Sequence, residues 1–211
     1  MSRTSDIPGL TDYLTQLAGQ DDTLARVNRE TGELPHGGMQ SRPDQGALLT
    51  ILAKTVGTRT AVEVGTFTGY GAICIARGLQ DGGRLTCFEY DPEYAEIARG
   101  NLEAAGVADR TTIVVGPASE SLATFTDAID FAYVDADKDG YPAYYEAIVP
   151  KLRAGGLLLL DNMLRGGRVA DGDPSVRVTS ELNDRIASDE RVDSVLLGLR
   201  DGLTIVTPRA A

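Results

Sequence analysis

The stretch YVDADKDGYPAYY, Tyr133 to Tyr145, sets Asp135, Asp137, Asp139 and Lys138 within five residues directly after an apolar run. A second polar pair, Asp161-Asn162, closes the later apolar run GLLLLDN. Neighbouring parallel strands lie roughly 5 Å apart, so groups at their ends can meet at one point. Asp135, Asp161 and Asn162 then offer three oxygen donors with no histidine or thiolate. That set suits a hard divalent cation, Mg2+ first and Mn2+ or Ca2+ next, with coordination positions left open. The same residues have structural uses as well: Asp135 and Asp139 as turn or helix-cap residues, and Asp161-Asn162 as the start of a loop. Two acids held close repel each other without a cation, which weights the reading towards a metal.

A second group of residues stands earlier in the chain, in EVGTFTGYG, where Glu63, Gly65, Gly69 and Gly71 surround a strand-to-helix turn. A dinucleotide fingerprint needs a glycine two residues after the first, and Phe67 occupies that place. The next strand ends in CFEYD, which puts Glu89 24 residues beyond Gly65. An acid there accepts hydrogen bonds from both ribose hydroxyls in nucleotide-binding sheets. Glu63 repels phosphate and favours an ammonium or sulfonium group. Ribose without phosphate, beside a cation, describes S-adenosylmethionine. Each signal also has a structural reading, namely a turn glycine, a paired acid and a helix cap. Their order on successive strands favours the nucleoside.

The elements that position these groups are legible from residue 60 onward. TAVEVG (60–65), RLTCFEY (84–90), TTIVVG (111–116), IDFAYVDA (129–136) and GLLLLDN (156–162) read as strands. GAICIARGLQ, PEYAEIARGNLEAAG and PAYYEAIVPKL carry apolar residues at helical spacing. Strands that are apolar nearly throughout are buried on both faces, so the expected fold is α/β, a parallel sheet with helices on both faces. At the C-terminal end DSVLLGLRDGLTIVTPR places two strand-like runs around Asp201-Gly202, which predicts an antiparallel hairpin. Before residue 60, GLTDYLTQLAG and PDQGALLTILAKTV read as amphipathic helices. The Gly- and Pro-containing stretch TGELPHGGMQS (31–41) reads as a mobile link.

Composition bounds the function. A chain of 211 residues, 42% hydrophobic, is expected to form one domain. A formal charge of -11 argues against a nucleic-acid partner, since no basic stripe faces phosphates. Cys74 and Cys87 sit in apolar surroundings and read as buried thiols. With a single histidine, His36, neither a histidine-centred hydrolase nor a zinc site is expected. MSRTSDIPGL lacks the core of a signal peptide and no run reaches membrane-spanning length, so a cytoplasmic protein is expected.

MQSRPDQGALL, AVEVGTFTGYG, FEYD, GPA, VDADKDGYPAYY and LLLLDNMLRGGRV together resemble the cation-dependent O-methyltransferases of the caffeoyl-coenzyme A and catechol type, over roughly residues 35–210. The resemblance implies a Rossmann-like seven-stranded sheet of order 3-2-1-4-5-7-6 with strand 7 antiparallel. Residues 1–40 would form a helical, lid-like segment and 41–211 the core that binds cofactor and metal. Position by position, the resemblance implies metal ligands at Asp135, Asp161 and Asn162. It implies cofactor contacts at Ser41, Glu63, Gly65, Thr66, Gly71, Glu89, Ala118, Asp137 and Tyr144, with Ala118 meeting adenine through its backbone. Lys138 stands where catechol-type members place the catalytic base. Near it, a divalent cation lowers the lysine pKa, whereas Asp137 and Asp139 are expected to raise it. The expected activity is methyl transfer from S-adenosylmethionine to a hydroxyl of a vicinal diphenol, a small phenolic partner, by a homodimer. The competing readings are a nicotinamide dehydrogenase and a non-catalytic S-adenosylmethionine-binding module. The match weakens over RGGRVADGDPS (165–175). Gly166 stands where plant members carry a substrate-contacting asparagine, so their thioester substrate is not to be assumed for this chain. The first 34 residues also match poorly and are expected at the substrate mouth or a dimer contact.

Overall fold

The computed structural model describes residues 8–209. Seven strands form one sheet: β1 (Thr60–Val64), β2 (Arg84–Glu89), β3 (Thr111–Val115), β4 (Ile129–Val134), β5 (Leu152–Asp161), β6 (Val192–Leu197) and β7 (Leu203–Pro208). Their order is β3-β2-β1-β4-β5-β7-β6. β7 runs antiparallel to both β5 and β6, while β1 to β5 pair in parallel. The fold and strand order expected from the sequence are those found.

The described residues form eight α-helices: α1 (Leu10–Leu17), α2 (Asp22–Gly32), α3 (Pro43–Thr55), α4 (Tyr70–Gly78), α5 (Pro92–Ala104), α6 (Ala118–Thr124), α7 (Tyr141–Ile148) and α8 (Arg177–Ser188). The central strands alternate between two cores. Val62, Val64, Ala132, Val134, Leu158 and Leu160 face Leu122 of α6, Tyr145 of α7 and Ile186 of α8. Ala61, Phe131, Tyr133 and Leu159 face Val27 of α2, Leu49 of α3, Ile73 of α4 and Leu102 of α5. Apolar residues at both parities are what make the strands read as continuous hydrophobic runs. Both cysteines are buried free thiols.

Four features differ from the sequence reading or were not visible in it. α2, α6 and α8 had no counterpart there; α8 buries only a narrow stripe, Thr179, Leu182 and Ile186. β5 begins at Leu152, four residues early, because Gly155-Gly156 mimics a strand breaker inside a strand whose register slips between Ile129 and Phe131. The hairpin does not turn on Asp201-Gly202 alone. Leu197 pairs with Leu203, leaving 198–202 as a longer loop with left-handed backbone at Arg200 and Gly202. Residues 31–41, read as a link, fold as the end of α2 followed by a 3-10 turn at Gly37–Met39. No helix among the described residues is long and apolar enough to cross a membrane.

Candidate active site

One cleft of about 940 Å³ opens beyond the carboxyl ends of β1, β2, β4 and β5. Two glycines fix its floor. Gly65 follows β1 with φ +90°, and a Cβ there would come within 2.1 Å of the Asp135 carbonyl oxygen. Only glycine lets the first and fourth strand ends approach so closely. At the start of α4, a Cβ on Gly71 would meet Glu63 Oε1 at 2.5 Å. All thirteen residues singled out from the sequence line this cleft: Ser41, Glu63, Gly65, Thr66, Gly71, Glu89, Ala118, Asp135, Asp137, Lys138, Tyr144, Asp161 and Asn162. From the N-terminal segment the lining begins at Gly38, and residues 1–7 lie outside the described residues.

At one end of the cleft, Glu89 is aimed by backbone. Its Oε2 accepts from Phe67 N at 2.6 Å and its Oε1 from Asp91 N at 2.9 Å. Each carboxylate oxygen keeps further lone pairs for a ligand. Phe67 itself adopts φ 50° and stacks against Tyr94 with ring centroids 4.5 Å apart. A side chain thus fills the place where a dinucleotide loop needs bare backbone, which counts against the dehydrogenase reading. Asp137 accepts from Gly140 N and from the Tyr144 hydroxyl at 2.7 Å, tying the 138–140 turn to α7.

Glu63 is 1% exposed, and its Oε2 makes no complete hydrogen bond among the described residues. Burial pushes its carboxyl up to about 8, only partly offset by the Thr66 hydroxyl and the Cys87 thiol, with Asp135 and Glu89 adding repulsion. In the free protein at neutral pH this group is mostly protonated, so the fixed negative charge assigned to it from sequence needs a cation beside it to persist.

At the other end, Asp161 Oδ2 accepts from the Gln45 amide and, at 3.0 Å, from the Tyr133 hydroxyl, while Oδ1 accepts from Asn162 N. Asn162 sits in left-handed backbone, φ 57°. Burial first, then repulsion from Asp161, pushes Asp135 up to about 6, with Lys138 opposing. Asp130 is another buried acid, on the same β4 strand as the site. There burial is outweighed by the amides of Thr60 and Arg59 and by Arg153, so its carboxyl stays low. Lys138 is the one ion-pair partner of the Asp135–Asp161 pair among the described residues. Among the described residues no three His, Cys, Asp or Glu side chains come together as a metal cluster. Asp135, Asp161 and the Asn162 amide are all-oxygen donors, of the type that a hard cation takes.

Lys138 Nζ donates to Asp135 Oδ1 at 3.3 Å and to the Tyr141 hydroxyl at 2.5 Å. The Tyr141 hydroxyl in turn donates towards the carbonyls of Val134 and Asp161, so its oxygen faces the lysine as an acceptor. Burial drives the Lys138 pKa down, and Asp135 and Asp161 oppose it. This corrects the sequence expectation: the acids that raise it are the two strand-end carboxylates, not Asp137 and Asp139.

Sequence reasoning missed Gln45, Tyr133, Tyr141, Arg165 and Arg200. Tyr133 was the most accessible of these, since it shares the strand face of Asp135 two residues on. Gln45 Oε1 accepts from Arg200 at 2.8 Å, linking α3 to the hairpin loop. Nothing local in the sequence signals that contact.

The family model described as O-methyltransferase matches residues 15–209. A catechol O-methyltransferase from Mycobacterium tuberculosis is 36% identical over 173 residues, 80% of this chain and 78% of that protein. Tricin synthase 1 from rice, Oryza sativa, is 38% identical over 209 residues, covering 90% of this chain and 83% of that one. Among solved structures, an O-methyltransferase from Bacillus cereus in complex with SAH superposes with a TM-score of 0.87 at 32% identity, covering 95% and 97% of the two chains.

Proposed function

The chain belongs to the O-methyltransferase family, and from that premise we propose that it transfers the methyl group of S-adenosylmethionine to a hydroxyl of a vicinal diphenol with the aid of a divalent cation, Mg2+ above all. The observation that carries this reading is the adjacency, in one cleft, of a backbone-aimed carboxylate at Glu89 and the Asp135, Asp161 and Lys138 centre. The SAH-bound Bacillus cereus relative and the Mycobacterium tuberculosis catechol O-methyltransferase support it.

In this proposal Glu89 accepts the two ribose hydroxyls, and Gly65, Thr66 and Gly71 let the ligand approach backbone. The Ala118 backbone meets adenine, and Ser41, Glu63, Asp137 and Tyr144 surround the amino-acid end. Asp135, Asp161 and Asn162 hold the cation. When bound, the cofactor supplies an electrophilic methyl and the cation a Lewis acid that favours an ionised diphenol.

Lys138 holds and moves the proton. A neutral amine has two N–H donors and one lone pair; Asp135 and Tyr141 take both donors, which leaves the lone pair for a phenolic O–H. A phenol of pKa about 10 is only about 0.1% ionised at pH 7, so complete ionisation lowers the barrier by about 4 kcal/mol. Holding oxygen and methyl in line contributes a further ~7–11 kcal/mol, so positioning is the larger effect. We also propose a homodimer formed through β6, the outer strand, which exposes Val195, Leu196 and Leu197.

The diphenol claim is tested by comparing a vicinal diphenol with its matching monophenol under identical cofactor and Mg2+. The diphenol should have far the higher kcat/KM; equal values would show that two neighbouring oxygens are not how the acceptor is held.

A further inference from the structure

In a chain of net charge -11, the acceptor end of the cleft gathers three basic side chains. Arg165 and Arg200 bring two fixed positive charges to it, beside Lys138, Asp135 and Asp161, while the Asp137 carboxylate on the same lining is held by Gly140 N and the Tyr144 hydroxyl. Glu89 and Asp91 line the opposite, nucleoside end. A divalent ion at the acceptor end would offset Asp135 and Asp161 and leave both arginine charges unmatched by them.

Two of the three cations have no assigned use. Neither Arg165 nor Arg200 forms an ion pair among the described residues, where thirteen other pairs do form. Arg165 Nε is buried with no hydrogen-bond partner. Arg200 NH1 donates only to the neutral amide oxygen of Gln45. The Arg165 charge is felt at Lys138 and Tyr141, and the Arg200 charge at Asp135, so both reach the reacting centre.

Backbone conformation gives an independent sign. Among the described residues five non-glycine residues have positive φ, and four of them, Phe67, Asn162, Arg165 and Arg200, line this cleft. Arg165 (φ 51°) and Arg200 (φ 52°) sit on separate loops, after β5 and between β6 and β7, and bear the same strain. Strained backbone of this kind persists where the surrounding structure holds a side chain in a required direction. Arg165, half-buried with its Nε unpartnered, and Arg200, exposed on the same lining, offer a planar anion the parallel N–H groups that a guanidinium presents.

We propose that Arg165 and Arg200 read a carboxylate on the methyl acceptor, so that the preferred substrate class is a vicinal diphenol bearing a free carboxylic acid rather than a neutral catechol. This rests on the diphenol methyl-transfer reading above. The guanidinium pair makes no covalent change; it fixes the ring's orientation and so decides which hydroxyl faces the methyl donor.

The test uses the full chain with Mg2+ and compares a vicinal dihydroxybenzoate, its methyl ester and its coenzyme A thioester. Binding is measured calorimetrically in the presence of S-adenosylhomocysteine, and turnover separately with S-adenosylmethionine. The acid should bind about 10- to 100-fold more tightly than the ester, as expected for charge-assisted hydrogen bonds. In Arg165→Gln/Arg200→Gln the acid-to-ester ratio should fall to near one, and the corresponding lysine variants should recover part of it. Using the ratio of two ligands on one variant removes any general loss of folding or of metal. Equal binding of acid and ester to the wild type would overturn the proposal, as would a ratio that survives in the double glutamine variant. An arginine-dependent preference for the thioester would overturn it too, by assigning the pair to phosphate. If the acid binds in an arginine-dependent way and no methyl is transferred, the anion site stands and the methyl-transfer reading falls.

Discussion

Lys138 can act as a base only if its ammonium form is costly, and burial against Tyr141 and the end of β4 makes it so, while Asp135 and Asp161 pull the other way. Because its pKa is lowered, the rate should rise with pH as the free amine appears. Lys138→Met keeps the stem and deletes the base, so turnover of catechol should drop about 10²–10⁴-fold. A nitrocatechol, already ionised at neutral pH, should lose much less; equal losses on both substrates with cofactor binding intact would assign Lys138 to charge positioning. In the proposed reading Glu89 holds the ribose, away from the reacting atoms. Glu89→Ala should therefore weaken cofactor affinity by about 2–4 kcal/mol, roughly 30- to 1000-fold by calorimetry, through loss of two charge-assisted hydrogen bonds. Glu63 gives a pH signature in the free protein. Its folded pKa of about 8 lies above the unfolded value near 4.5, so the folded state binds the extra proton. Glu63 thus disfavours folding progressively as pH rises from about 4.5 to about 8. Glu63→Gln should remove that part of the slope in melting temperature against pH. An unchanged slope would show that its carboxyl ionises freely in the folded state.

The glycine-bearing turns are where element geometry and site geometry coincide. At Gly65 an added Cβ meets backbone, the Asp135 carbonyl, at φ +90°, so neither partner can yield cheaply. At Gly71 it meets the far end of the Glu63 side chain instead. Gly65→Ala should cost several kcal/mol in a denaturant melt and Gly71→Ala about 1 kcal/mol or less. Similar costs would mean that the β1–β4 approach is looser than described. The strands were legible because β1, β4 and the end of β5 are buried on both faces and so read as unbroken apolar runs. α8 was not, because a stripe of three buried positions in a polar helix is a weak periodic signal. The start of β5 was hidden by Gly155-Gly156, whose residues suit a turn as well as an irregular strand. Within the site, residues at strand ends were legible from position alone. Gln45 and Arg200, 155 residues apart, meet only through the fold and left no local mark.

Across the whole molecule the sheet brings β1, β2, β4 and β5 to one rim, so a chain of strongly negative charge gathers Glu89, Asp91, Asp135, Asp161, Arg165 and Arg200 on one cleft. The outer strand β6 leaves Val195, 49% exposed, beside Leu196 and Leu197. If β6 joins two copies, Leu197→Lys and Val195→Lys together should shift sedimentation equilibrium from dimer to monomer without unfolding; a wild-type monomer at all concentrations would contradict the dimer. Cation-dependent methyl transfer is the central claim. It is tested most directly by following methylation of catechol with metal-stripped protein while Mg2+ is added back. Stripped protein should be inactive, and activity should rise to saturation with Mg2+, because Asp135, Asp161 and Asn162 are then filled. Undiminished turnover in excess chelator would contradict the claim.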